Sequence, residues 1–240
     1  ADDRIGEVLD ALDRLKLTDN TLVIFSSDNG PARASRATEL TLMHDTATGA
    51  GYGIGAAKGI TGDRKGYKAA LFEGGIGVPF IARWPGKIAA GKVDAQSIFS
   101  AVDLLPTFCE LAGAKFPKGY RPDGLSQVKA LQGKGQHLRS KPLFWKMQSS
   151  WPIQKARPYH WVSYAIVHQN WKLMTNRDSS YAELYDLATD PLEKNDLAQQ
   201  KPAVVQGLLQ QIADWKATLP AKPIGNVFSG ERLELPKSRR

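Results

Sequence analysis

A single cysteine, Cys109, is all that the 240 residues contain. No internal disulfide and no cysteine-built metal cluster can form. No apolar run approaches the roughly 20 residues of a membrane helix, and no apolar leader with a small-residue cleavage site opens the sequence. These absences predict a chain with neither a membrane span nor its own export signal. Acidic residues are the scarcer charge. Asp and Glu number 24 against 32 Lys and Arg, a formal net charge of +8, which favours anionic partners: nucleic acid, anionic polysaccharide, or sulfate and phosphate esters. What is present suffices for a core, since 42% of the side chains are hydrophobic and 23% charged.

Ile5, Val8, Leu9, Leu12 and Leu15 recur at three- and four-residue spacing among charges, which predicts an amphipathic helix over 2–16. Thr21-Leu22-Val23-Ile24-Phe25 is a continuous apolar, β-branched run of the kind that forms a strand buried on both faces. A second such run, Val78 to Arg83, ends in Trp84-Pro85-Gly86. Asp103 is then expected to cap a helix through Leu111 that Gly113 stops. Between the strands, 30–75 is rich in Gly, Ala and Thr, with a short helical pattern only at 36–44. A loop of that length inside a domain is usually functional.

From Pro142 the pattern changes to short strands at 143–147, 161–167, 171–174 and 182–187, which predict an antiparallel sheet. Pro202 opens a helix with Val204, Val205, Leu208, Leu209, Ile212 and Trp215 on one face. Two buried parallel-type strands do not make a doubly covered sheet by themselves. The expected organisation is therefore the C-terminal part of a larger α/β domain over 1–138, a small α+β subdomain over 139–219, and a basic surface tail over 220–240.

Ser26-Ser27-Asp28-Asn29-Gly30 puts a carboxylate and a carboxamide at the C-terminal end of the first strand, where open α/β sheets build their sites. Both are oxygen donors, which suit a hard cation such as Ca²⁺ or Mg²⁺; Asn-Gly is also ordinary turn chemistry. In Gly66-Tyr67-Lys68-Ala69-Ala70-Leu71-Phe72-Glu73-Gly74-Gly75 the glycines allow close backbone approach, and Lys68 offers a compact positive charge.

The order S-D-N-G-P, then G-Y-K-A-A-L-F-E-G-G-I-G-V-P-F-I-A-R-W-P-G, then A-V-D-L-L-P-T-F-C-E-L-A-G resembles the sulfatase family. N-W-K-L-M and E-L-Y-D-L-A-T-D-P-L-E-K-N-D-L-A agree with it further along. The R-P-D-G-L and P-L-F-W segments are most similar to the arylsulfatase A and N-acetylgalactosamine-6-sulfatase branch. The resemblance implies an alkaline-phosphatase-like α/β fold, here its C-terminal part, followed by a small antiparallel sheet with a packed helix. It implies that Asp28 and Asn29 bind a divalent cation, commonly Ca²⁺ with Mg²⁺ as the alternative, and that Lys68 contacts the sulfate. His44, in the long loop, is a candidate for the substrate side.

The resemblance further implies sulfate-monoester hydrolysis, on a sulfated carbohydrate or an aryl sulfate, by a formylglycine nucleophile, in a periplasmic or secreted setting. The formylglycine is not encoded here. Cys109 lies in P-T-F-C-E-L, outside any C-x-P-S-R motif, and is expected to be a packed core thiol. The N-terminal aspartates of the family's metal site are also absent, so the 240 residues alone are expected to be inactive without the missing N-terminal part of the domain. Gly77 stands where the family usually carries arginine. His137, His160 and His168 are expected to be surface residues, and Trp151 is the best candidate for an exposed aromatic platform. Two alternatives stay open: a non-catalytic homologue that binds anionic glycans, and a phosphoesterase of the same superfold. A nucleic-acid binder rests on the pI alone and lacks any helix-turn-helix, RRM or zinc pattern.

Overall fold

The computed structural model describes residues 2–31, 61–134, 139–147 and 161–220. The amphipathic pattern at the start forms helix α1 (Asp2–Arg14), with acidic residues in its first turn and Arg14 in its last, as the helix dipole favours. None of its residues is buried. Strand β1 (Val23–Ser26) follows. The one-turn helix α2 (Glu73–Ile76) leads into β2 (Phe80–Arg83), which pairs with β1 in antiparallel register, Val23 opposite Arg83 and Ser26 opposite Phe80.

This corrects the expectation of two parallel-type strands buried on both faces. Phe25 is 45% and Ile81 60% exposed. An apolar run is buried on both faces only where layers cover both, and the described residues supply no such cover. Helix α3 (Leu104–Leu111) ends before Gly113, whose φ of 65° suits a helix terminus. Asp103 holds the N-cap position of α3 as expected, but its side chain makes no capping bond there. Ser100 is the cap of the preceding 3₁₀ turn, and Asp103 is its third residue, reaching back to the Ser100 N–H at 2.9 Å. Cys109 is half-buried on α3 rather than packed in a core. A short helix α4 (Val128–Leu131) follows.

The expected antiparallel sheet is present, in the order β3 (Leu143–Lys146), β4 (Tyr164–His168), β5 (Trp171–Thr175), β6 (Ala182–Asp186). Strand alternation sends Tyr164, Ile166, Leu173 and Leu184 to one face. There they pack on Leu208 and Ile212 of helix α5 (Pro202–Thr218), with Val204, Val205, Leu209 and Trp215 around them. Burial of each large aliphatic contributes about 1.5–3 kcal/mol. Phe144 stacks on Trp215 at 4.9 Å.

The other face of the sheet carries Ala165, Met174 and Tyr185. It is closed by Ala70, Leu71 and Phe72, all nearly inaccessible, with Trp145 and Trp161 at the margin. The segment expected to be the end of a long loop is thus part of the second core. Among the described residues no helix is long and apolar enough to cross a membrane.

Candidate functional site

The turn after β1 and the loop that carries Lys68 are joined by backbone hydrogen bonds. The Gly30 N–H donates to the Gly75 carbonyl at 2.8 Å, and the Lys68 N–H donates to the Pro31 carbonyl at 2.9 Å. Glycine is required along this seam. A Cβ on Gly30 would lie 1.9 Å from the Gly74 oxygen, and one on Gly75 would lie 2.1 Å from the Ala70 oxygen. Neither contact is possible between real atoms, so the two chain segments approach as bare backbone. Lys68 is followed by Ala69 at a φ of 66°, the left-handed region that costs a non-glycine residue of order 1–2 kcal/mol. The burial of Ala70–Phe72 next to it holds that conformation in place.

The Asp28 and Lys68 side chains are exposed and Asn29 is half-buried. The Ser27 hydroxyl lies 3.0 Å from the Asn29 carbonyl oxygen and 3.5 Å from Asp28 Oδ1, bracing the turn. Two oxygen donors at the open end of a strand fit a hard cation in kind. They fill only part of its shell, since among the described residues no group of three or more His, Cys, Asp or Glu could hold a metal ion. His44, His137, His160 and Trp151 lie outside the described residues, as does nearly all of the basic tail. His168 ends β4 opposite Trp171 and is partly buried.

Beneath the loop lies a charged layer that motif reading missed. Lys172, on the central strand β5, has no accessible side-chain surface. Its Nζ sits 2.7 Å from Glu73 Oε1 and 2.8 Å from Glu193 Oε1, the latter an ionic contact without hydrogen-bond alignment. Glu193 Oε2 accepts the Glu73 N–H at 2.7 Å. Burial pushes the Glu193 carboxyl above its ordinary value of 4.5, against the opposing pull of Lys172. Lys65 Nζ donates to the Tyr185 hydroxyl at 2.8 Å, contacts Glu183 Oε2 at 3.3 Å, and lies 4.5 Å from the centre of the Phe72 ring.

The signal that could have revealed this layer is N-W-K-L-M, where a lysine interrupts an apolar strand. Gly77 has its place in the same layer. A Cβ there would meet Glu73 Oε2 at 2.5 Å and the Glu73 carbonyl at 2.7 Å, so the missing side chain leaves room for the carboxylate that pairs with Lys172.

Comparison with known proteins matches residues 1–114 to the sulfatase family model, and residues 65–218 to the model of the C-terminal region of N-sulphoglucosamine sulphohydrolase. N-acetylgalactosamine-6-O-sulfatase of Bacteroides thetaiotaomicron is 32% identical over 218 residues, covering 88% of this chain and 39% of that protein. Human steryl-sulfatase is 31% identical over 244 residues, covering 91% of this chain and 39% of that protein. A solved structure from work on the metabolism of multiple glycosaminoglycans by B. thetaiotaomicron superposes with a TM-score of 0.63 at 29% identity, over 89% of this chain and 42% of that one. The chain therefore spans about two fifths of the length of these relatives. The motif order, the glycine seam and these matches, which run across both regions, agree: the chain belongs to the sulfatase family.

Proposed function

We propose that the chain forms part of a sulfatase that hydrolyses sulfate monoesters on a carbohydrate, with the rest of the catalytic domain completing the site. The observation that carries this reading is the seam. Two hydrogen bonds tie the Asp28–Pro31 turn to the Lys68 loop, and the match to the sulfatase family model, over residues 1–114, spans both segments. Lys68 is the residue that contacts the sulfate. Its exposed ammonium is a point charge suited to neutralising sulfate oxygens as the ester bond breaks.

Asp28 and Asn29 would hold the divalent cation, Ca²⁺ or Mg²⁺, which when bound polarises the sulfate group. The nucleophile, a formylglycine, comes from outside this chain, and His44 is assigned to the substrate side. The net charge of +8 favours an anionic polysaccharide as substrate. The test is sulfate-ester turnover by a complete sulfatase domain containing this chain. Lys68→Ala should lower kcat at least about a hundredfold, roughly 2.7 kcal/mol, and near-normal turnover would reject the assignment.

A further inference from the structure

Lys68 is exposed, and no described side-chain contact fixes its backbone. What fixes it is the segment on either side, and that segment is anchored to the second subdomain by charges in a place where charges are costly. Lys172 is wholly inaccessible in the middle of the sheet. An unpaired ammonium there would be strongly unfavourable. It faces two carboxylates: Glu73 from the Lys68 segment, and Glu193 from the turn after β6. Glu193 grips the same segment a second time through the Glu73 N–H. Glu193 itself adopts a φ of 56°, an uncommon backbone state for a non-glycine residue. Eight residues before Glu73, Lys65 is held by Tyr185 and Glu183 on the same face of the sheet. The Lys68 turn is therefore pinned at both ends; from its middle the Lys68 N–H donates to the Pro31 carbonyl, and just past the Glu73 anchor the Gly75 carbonyl accepts the Gly30 N–H.

We propose that Lys172 is a positioning residue. Through Glu73 and Glu193 it holds the 65–76 segment in register with the turn after β1, and so sets where the Lys68 ammonium stands relative to Asp28 and Asn29. The catalytic consequence rests on the sulfatase reading above; the structural one does not. A hydrophobic residue of similar length would fill the same space in the sheet, so Lys172 does more there than pack. It adds a directional, charged contact to the apolar docking of Ala70, Leu71 and Phe72 on the same face of the sheet.

The test is amide hydrogen exchange on the 240-residue chain. The Gly30 and Lys68 N–H groups report the seam, and the β4 and β5 amides report the sheet. In Lys172→Met the two seam amides should exchange at least about tenfold faster, the equivalent of losing one charge-assisted hydrogen bond. Lys172→Met/Glu193→Gln removes both buried charges and guards against simple unfolding. It should keep the sheet amides within about threefold of the parent while the seam still exchanges faster.

Unchanged seam exchange in the folded double variant overturns the proposal, as does acceleration spread evenly over sheet and seam. In a complete sulfatase domain the same double variant should lower kcat on the order of 10²-fold with KM little moved, because the substrate still binds while the ammonium is misplaced. A loosened seam with kcat unaffected also overturns the positioning role. Near-normal turnover of Lys68→Ala would reject the sulfatase site while leaving the exchange result standing.

Discussion

The two regions of this chain are held together by different forces. The sheet β3–β6 is covered on both faces, by α5 on one side and by Ala70–Phe72 on the other, and its inner strands β4 and β5 are buried almost throughout. The region of α1, β1, β2 and α3 has no comparable core among the described residues. Val8, Phe25, Ile81, Leu105 and Phe108 are all more than two fifths exposed. Its best-buried feature is polar. Arg139 forks onto Asp103 at 2.5 and 3.0 Å with neither side chain accessible, and Asp103 also accepts the N–H groups of Ser100 and Leu125. Apolar burial makes the first region, whereas one hydrogen-bonded ion pair organises the second. The residues proposed to carry chemistry, Asp28, Asn29 and Lys68, lie on the second region, and the loop that holds Lys68 packs against the first.

The largest effect should come from breaking the polar knot. Arg139→Met leaves Asp103 charged and buried, and is expected to cost about 3–5 kcal/mol in urea unfolding; a loss below 1 kcal/mol would mean that the pair contributes little to this region. Leu173→Ala, in the centre of the sheet and fully buried, should cost about 2–5 kcal/mol, with a value near the top if the cavity cannot collapse.

The acid response comes next. Burial raises the Glu193 carboxyl above 4.5 in the folded state. Between that value and the raised one, the folded protein takes up a proton that the unfolded chain does not, so stability from this group rises as pH falls and is lost as pH rises through the folded value. Glu193→Gln should flatten that part of the stability-against-pH curve, and an unchanged slope would show that the carboxyl titrates at its ordinary value. Smallest is Ile81→Ala. At 60% exposure it should move unfolding by less than about 0.5 kcal/mol, and a loss well above that would show that another surface covers this face in solution.

Much of the fold was legible without coordinates. The three- and four-residue spacings of α1 and α5 and the short strands from Leu143 onward follow from side-chain periodicity, which depends only on near neighbours in sequence. The seam was half legible. The glycines announced a close backbone approach, but not that Gly30 meets Gly74 and Gly75 in particular. Lys172 was legible only as a lysine interrupting an apolar strand; that it is buried, and that Glu73 and Glu193 are its partners, depends on what packs over it. Asp103 was recognised as a helix-start residue, yet its partner Arg139 lies 36 positions away, beyond any local pattern.

By itself the sequence determined the helices α1, α3 and α5, the strands, and the family, since all of these are written in local spacing and motif order. Tertiary structure alone decided that β1 and β2 run antiparallel, that Ala70–Phe72 close the far face of the sheet, and that Lys172 is buried between two carboxylates. Those outcomes depend on which surfaces meet across long stretches of chain, and burial, not residue type, then sets whether a charge is solvated or must be paired.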